Sequence, residues 1–323
     1  MRAIHSKNRT DPVAYASYQV IAKHIEARGK PPTGLYFNKI MSLLHRELKR
    51  EGLDIKLPHC WYRWGDEVVR YLMPNAVVWD HEEANVTTVY WKEDAPGDIC
   101  DHALKKNITY HVSELTSKYS GPRRIDDAVS EVYDEAPFDF QRKYKACRDA
   151  FAGVRGAGIR ISNYGEDYIW PMLNEAFESF PANDFPHVAE RVPAVRELLH
   201  KMLLEEEPPH ALANEVSEEF WAWFCYYLRL NPRCHENVPR ETIDHWSEVL
   251  EEEGHRFRRM LGDHALDVVE RCGESEISAD LQHMADERME SLEEEDEILA
   301  SFKDDIDGLN DFLHQMKAAR QKQ

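Results

Sequence analysis

Apolar residues recur at intervals of three and four along most of this chain, and that rhythm lapses into an aromatic, β-prone stretch only once, between Leu53 and Trp91. Side chains three and four apart share one face of a helix, so a chain written this way must build most of its core from packed helices. The expected fold class is therefore mainly α. A helical front with one small sheet should be followed by an all-helical remainder.

The first periodic segment, Val13 to Ala27, places Val13, Ser17, Val20, Ile21, His24 and Ile25 on one face, and Pro31-Pro32-Thr33-Gly34 stops it. A second helix is expected over Leu35–Arg50, its apolar stripe Leu35, Phe37, Ile40, Met41, Leu44 and Leu48 backed by Lys39, Arg46, Lys49 and Arg50, with Gly52 as cap. Ala76 to Trp79 and Val86 to Trp91 read as a hairpin around His81-Glu-Glu-Ala-Asn85. Helix, helix, hairpin is the order of a winged-helix-like unit. Further helices are expected over about 98–117, 125–134, 138–152, 168–179, 187–206, 211–229, 240–261 and 263–272, punctuated by Pro181, Pro186, Pro208-Pro209, Pro232 and Gly262. From Leu299 onward Leu299, Phe302, Ile306, Leu309, Leu313 and Met316 alternate spacings of three and four, the seam of a coiled coil or of an amphipathic helix. These boundaries divide the chain into 1–97, a winged-helix-like or antitoxin-like module; 98–160, a helical connector; 161–273, an acidic helical domain; and 274–323, a C-terminal amphipathic helix through which the chain could form homo-oligomers.

Charge sharpens that division. Residues 1–70 carry 13 Lys or Arg against 7 Asp or Glu, whereas the whole chain has a net charge of −20, which leaves −26 for residues 71–323. A second basic cluster, Arg142, Lys143, Lys145, Arg148, Arg155 and Arg160, is opposed locally by Asp149. Excess surface carboxylate of this size suits a salt-rich cytosol. Folding that depends on molar salt would support that origin, and full stability in dilute buffer would remove it. No apolar run approaches the roughly 20 residues needed to span a bilayer. The first residues lack the apolar core of a secretory signal, so a cytoplasmic protein without a membrane partner is expected. Six cysteines scattered over 323 residues without a Cys-x-x-Cys pair suggest reduced thiols.

Candidate chemistry is sparse. Glu197/His200 and Glu252/His255 have the spacing of di-iron bundle ligands. Chance supplies about three acidic-x-x-His matches in a chain of this composition, and six occur, two of them broken by proline. No metal or other cofactor is expected. Gly153-Val-Arg-Gly156-Ala-Gly158 inverts the spacing of a dinucleotide loop and follows a helix rather than a strand, so it reads as a turn-rich junction. Cys100-Asp-His102 and Cys234-His235 are too close-spaced for a zinc cage. An Arg followed four to six residues later by His, as in Arg229/His235, Arg240/His245 and Arg258 or Arg259 with His264, resembles the signature of the HEPN-type ribonuclease fold. The acidic surroundings oppose binding a polyanion there.

The densest non-random feature is aromatic. Trp61, Tyr62, Trp64, Tyr71, Trp79, Tyr90 and Trp91 lie among His59, Arg63, Asp66, Glu67 and Arg70. Such groups serve either as recognition surfaces, because large rings bury much area at little entropy cost, or as the core of a small hairpin. Within residues 39–69, Lys39, Leu43, Leu44 and His45 followed by Tyr62-Arg63-Trp64-Gly65-Asp66 resemble the Panacea-type antitoxin domain. Trp-Gly-Asp stands where that family has Tyr-Gly-Pro, and a hairpin stands where it has a helix. The resemblance implies a helical regulatory domain that neutralises a partner protein by direct binding, and no catalytic residue.

The expected function is accordingly that of a non-enzymatic regulatory protein. Trp61, Tyr62, Arg63 and Trp64 would bind a protein partner. A DNA-binding winged-helix regulator, with Lys39, Arg46, Lys49 and Arg50 on phosphate, is the alternative. A ribonuclease or metal enzyme within residues 185–272 is the third reading.

Overall fold

The computed structural model describes residues 11–81, 86–97, 99, 101–121, 124–156, 165–204, 210–272 and 277–295. It is mainly helical. Helix α1 (Pro12–Arg28) starts where the Asp11 carboxylate accepts the Val13 amide at 3.1 Å, with Pro12 in the first turn where no amide is needed, and ends at Gly29 with φ 70°. Helix α2 (Gly34–Arg50) begins on the Thr33 hydroxyl, 3.2 Å from the Tyr36 amide. Strands β1 (His59–Tyr62) and β2 (Gly65–Val68) follow, then the hairpin β3 (Val77–His81) and β4 (Thr87–Trp91). Helices α3 (His102–Tyr119), α4 (Ile125–Asp134), α5 (Asp139–Gly156), α6 (Trp170–Glu178), α7 (Pro186–Ala189), α8 (Val192–Leu204) and α9 (His210–Leu230) lead to strand β5 (His235–Glu236). Helix α10 (Arg240–Cys272) and a final helix over 279–295, here α11, complete the described chain.

Helix α2 is the axle of the front half. Ten consecutive residues, Tyr36 to His45, are buried, because α1, α3, α4, β2 and β4 enclose it on all sides. Of the basic residues expected on its polar side, Lys39 is buried and Arg46 largely so, whereas Lys49 and Arg50 are exposed. On α1, Val13, Ser17, Val20, Ile21 and His24 are buried as their spacing requires, whereas Ile25 is 41% exposed.

Two small sheets bracket that helix. In one, β3 pairs antiparallel with β4, as the alternation around residues 76–91 predicts. In the other, β1 lies at the centre of the order β2-β1-β5, so a strand from the front of the chain is paired with one from the rear. His59 stands opposite Glu236 and Cys60 opposite His235. The Trp61 amide also donates to the Cys234 carbonyl at 2.7 Å.

The hydrophobic core is continuous. One cluster runs from Val13 on α1 to Ala285 on α11, and a small second one holds Cys60, Val69 and Trp246. Its rear centre is Phe140, whose ring meets Tyr144, Phe180 and Phe224 at centroid distances of 5.0–5.1 Å. The front seventy residues therefore do not close a core of their own.

Helix α10 continues through Gly262, where a break was expected. A Cβ on Gly262 would lie 2.6 Å from the Arg288 Cβ, so the glycine admits α11 against α10 rather than ending the helix. The single helix expected over 187–206 is two, α7 and α8, separated at Glu190 and Arg191. The junction expected from Gly153 is helical to Gly156. Its continuation over 157–164 and the seam residues Leu299, Phe302, Ile306, Leu309, Leu313 and Met316 lie outside the described residues. Among the described residues no helix is long and apolar enough to cross a membrane.

Candidate functional site

The β1–β2 hairpin turns through Arg63 and Trp64, with Tyr62 opposite Gly65. Gly65 has φ 93°, and a Cβ there would lie 2.9 Å from Tyr133, so glycine alone fits. The turn is held from below by the rear half. The Arg63 carbonyl accepts from Trp221 Nε1 at 2.8 Å and from Arg148 at 3.4 Å, and the Trp64 amide donates to Glu67 at 3.3 Å. Arg148 is itself clamped by Glu218 through bonds of 2.7 and 2.6 Å, and its guanidinium lies over the Trp64 ring at 5.3 Å.

The four aromatic-turn residues separate into different roles. Trp61 is buried, 5% exposed, and packs edge-on against Tyr133. Tyr62 is half-buried beneath Arg229, whose guanidinium lies 3.3 Å from its ring centre. Arg63 contributes its backbone. Trp64 alone of the eight tryptophans is open to solvent, at 56%. It stands between two clefts. One, of about 810 Å³, is lined by Leu35, Val129, Tyr133, Lys145 and Arg148 among others; the second, of about 370 Å³, by Leu35, Glu67, Arg70 and Val86.

The basic residues of α2 face inward or onto the protein's own acids. Lys39 is fully buried and donates to the Asp66 carbonyl at 2.9 Å, and burial lowers its pKa to about 8 against the pull of Glu67 and Asp66. Arg46 donates to the Val132 carbonyl at 3.0 Å and to Asp66 at 3.2 Å. Lys49 meets Glu236 at 2.6 Å, and Arg50 pairs with Glu47 and Glu135. A phosphate contact through Lys39 would require the core to open.

These pairings surround a cluster that the sequence pattern did not reveal. His45 of α2, His59 of β1 and Glu236 of β5 offer donor atoms that all lie within 4.8 Å of one another. Glu236 Oε2 is 3.2 Å from His45 Nε2 and 3.5 Å from His59 Nε2. On its far side His59 Nδ1 donates to Asp66 Oδ1 at 2.6 Å, which leaves Nε2 directed at Glu236. His59 Nε2 and His45 Nδ1 are buried, and His59 Nε2 has the Glu236 carboxylate as its facing acceptor. Burial disfavours a charge on His59, but the Asp66 and Glu236 carboxylates outweigh it and raise its pKa to about 9. Burial, then the neighbouring His59, lowers that of His45. Burial would raise the Asp66 pKa, yet His59 and Arg46 hold it below the usual carboxylate range.

The motifs weighed from spacing alone lie elsewhere. Glu197 accepts the Ser278 amide at 2.9 Å, and His200 stacks on Trp170 at 3.9 Å. Glu252 and His255 are exposed, and His255 pairs with Arg258 at 2.9 Å. His255, Arg258 and Arg259 line a cavity of about 350 Å³ with Arg191 and Arg288; His264 is not part of its wall. Cys60, Cys147, Cys225 and Cys234 are free and buried, and burial pushes the Cys60 and Cys147 thiols up to about 12, so they are poor nucleophiles. No protein-family model, curated protein or solved structure matches this chain.

Proposed function

We propose that this protein is a non-enzymatic regulatory protein that binds a protein partner at the cleft around Trp64. The observation that carries the reading is the Trp64 indole, exposed at 56% on a turn whose backbone is pinned by Trp221 and Arg148. Large rings held rigid before binding lose little entropy on association and dominate interface energies. Leu35, Val129 and Ala152 beside it supply apolar contact. Lys145 and Arg148 in the same cleft are each paired with a carboxylate, Asp149 and Glu218, so the wall suits an apolar protein segment better than a phosphate backbone.

The likeness to a Panacea-type antitoxin domain falls on the same turn, residues 62–66, which is consistent with neutralising a partner by occupying it. Helices α1 and α2 with the β3–β4 hairpin would then act as a winged-helix-like support rather than as a DNA reader. Trp64→Ala removes the ring without touching the core. It should fold with stability within about 0.5 kcal/mol of the parent and lose the partner that co-purifies from the native cell with the parent and with Tyr110→Ala, a change at an exposed ring on α3. Identical co-purifying proteins in all three would defeat the reading.

A further inference from the structure

We propose that His45, His59 and Glu236 form a binding site for one divalent transition-metal ion of the zinc class, with three protein ligands and one position open to solvent. The geometry is close to that of such a site before the ion enters. Bonds of about 2.0–2.1 Å at tetrahedral angles place neighbouring ligand atoms about 3.3 Å apart; the two edges to Glu236 measure 3.2 and 3.5 Å, and the edge between the imidazoles lies within 4.8 Å and closes as the ion binds. The donor set, two imidazoles and a carboxylate, is the borderline nitrogen and oxygen mixture that such ions prefer.

Independent observations point to a ligand. His59 Nε2 is buried and aims into the cluster, where it faces the Glu236 carboxylate at 3.5 Å. Its other nitrogen is held by the Asp66 carboxylate at 2.6 Å, and Asp66 is in turn held by Arg46 at 3.2 Å. A carboxylate behind a ligating imidazole fixes the tautomer that presents a lone pair to the metal. The three residues come from a buried helix and from two paired strands, with His59 directly across from Glu236, so their positions are set by the fold rather than by loops. Glu236, 42% exposed, leaves the outer side accessible.

The ion must displace the proton that Asp66 and Glu236 hold on His59 at neutral pH, and a second group competes for the carboxylate. The Lys49 ammonium lies 2.6 Å from both oxygens of Glu236 and must release Oε2 for an ion to bind. Its side chain is 40% exposed and free to swing outward, so Lys49 sets the affinity rather than closing the site.

Titration of the metal-free full chain with Co²⁺, followed by visible absorption and then displacement by Zn²⁺, tests the proposal. One equivalent of tetrahedral Co²⁺ is expected. Affinity should fall by about tenfold or more in His59→Gln and in Glu236→Gln, rise in Lys49→Met, and stay unchanged in a Glu252→Gln, His255→Ala control. Glu236→Gln replaces a partly exposed side chain, so it remains informative if His59→Gln does not fold. Absence of binding, an octahedral spectrum only, or equal binding by all variants would overturn the proposal.

Discussion

Trp61 and Trp64 stand three residues apart on one hairpin and face opposite environments. Deleting the Trp61 ring empties a space against Tyr133 in the continuous core and should cost about 3–5 kcal/mol, whereas Trp64→Ala should cost less than about 0.5 kcal/mol. Urea unfolding of the two variants checks the contrast. His59 permits a second prediction. Its folded pKa of about 9 exceeds the ordinary 6.5, so its contribution is fully present below pH 6.5 and is lost as pH rises toward 9. With chelator present, the stability difference between the parent and His59→Gln should shrink by about 1.5 kcal/mol between pH 6.5 and 8, while the lowered pKa values of His24, His45 and His235 act on both with the opposite sign. Above about pH 8 Lys39, whose folded pKa lies below 10.5, acts with the opposite sign, because the unfolded chain then binds the extra proton. At this scale the sequence was half legible. The aromatic cluster announced itself by density, but nothing along the chain distinguishes a tryptophan pinned at a turn from one sealed beneath it. His45, His59 and Glu236 were invisible as a set because up to 191 positions separate them.

At the scale of elements, spacing located most helices, because the apolar stripe records which face is buried. It misjudged α2, whose polar side is covered too. Lys39, Ser42 and His45 look like a solvent face until Asp66 is seen beside the first two and His59 and Glu236 beside the third. It also misread Gly262. Within a helix glycine costs up to about 1 kcal/mol relative to alanine, so a stop was the economical reading. The Arg288 Cβ position supplies the opposing reason, close packing of α11. Gly262→Ala should therefore destabilise by about 1–3 kcal/mol despite its better helix propensity, seen as a lowered melting temperature. A higher melting temperature would mean that α10 and α11 do not meet there.

At the scale of the molecule, the basic front and acidic rear are two charge regions built on one core. The β2-β1-β5 sheet and the Trp221 bond to the Arg63 carbonyl tie the Trp64 turn to helices more than 150 positions away. A two-residue strand such as His235–Glu236 carries no periodic signal, so the sequence could not show the join. The most direct test is the folding of residues 11–97 in isolation, followed by tryptophan fluorescence and circular dichroism in urea. The continuous core predicts no cooperative transition and solvent-exposed emission from Trp61. A sigmoidal unfolding curve with buried tryptophan emission would show that the front half stands alone, and would contradict the account.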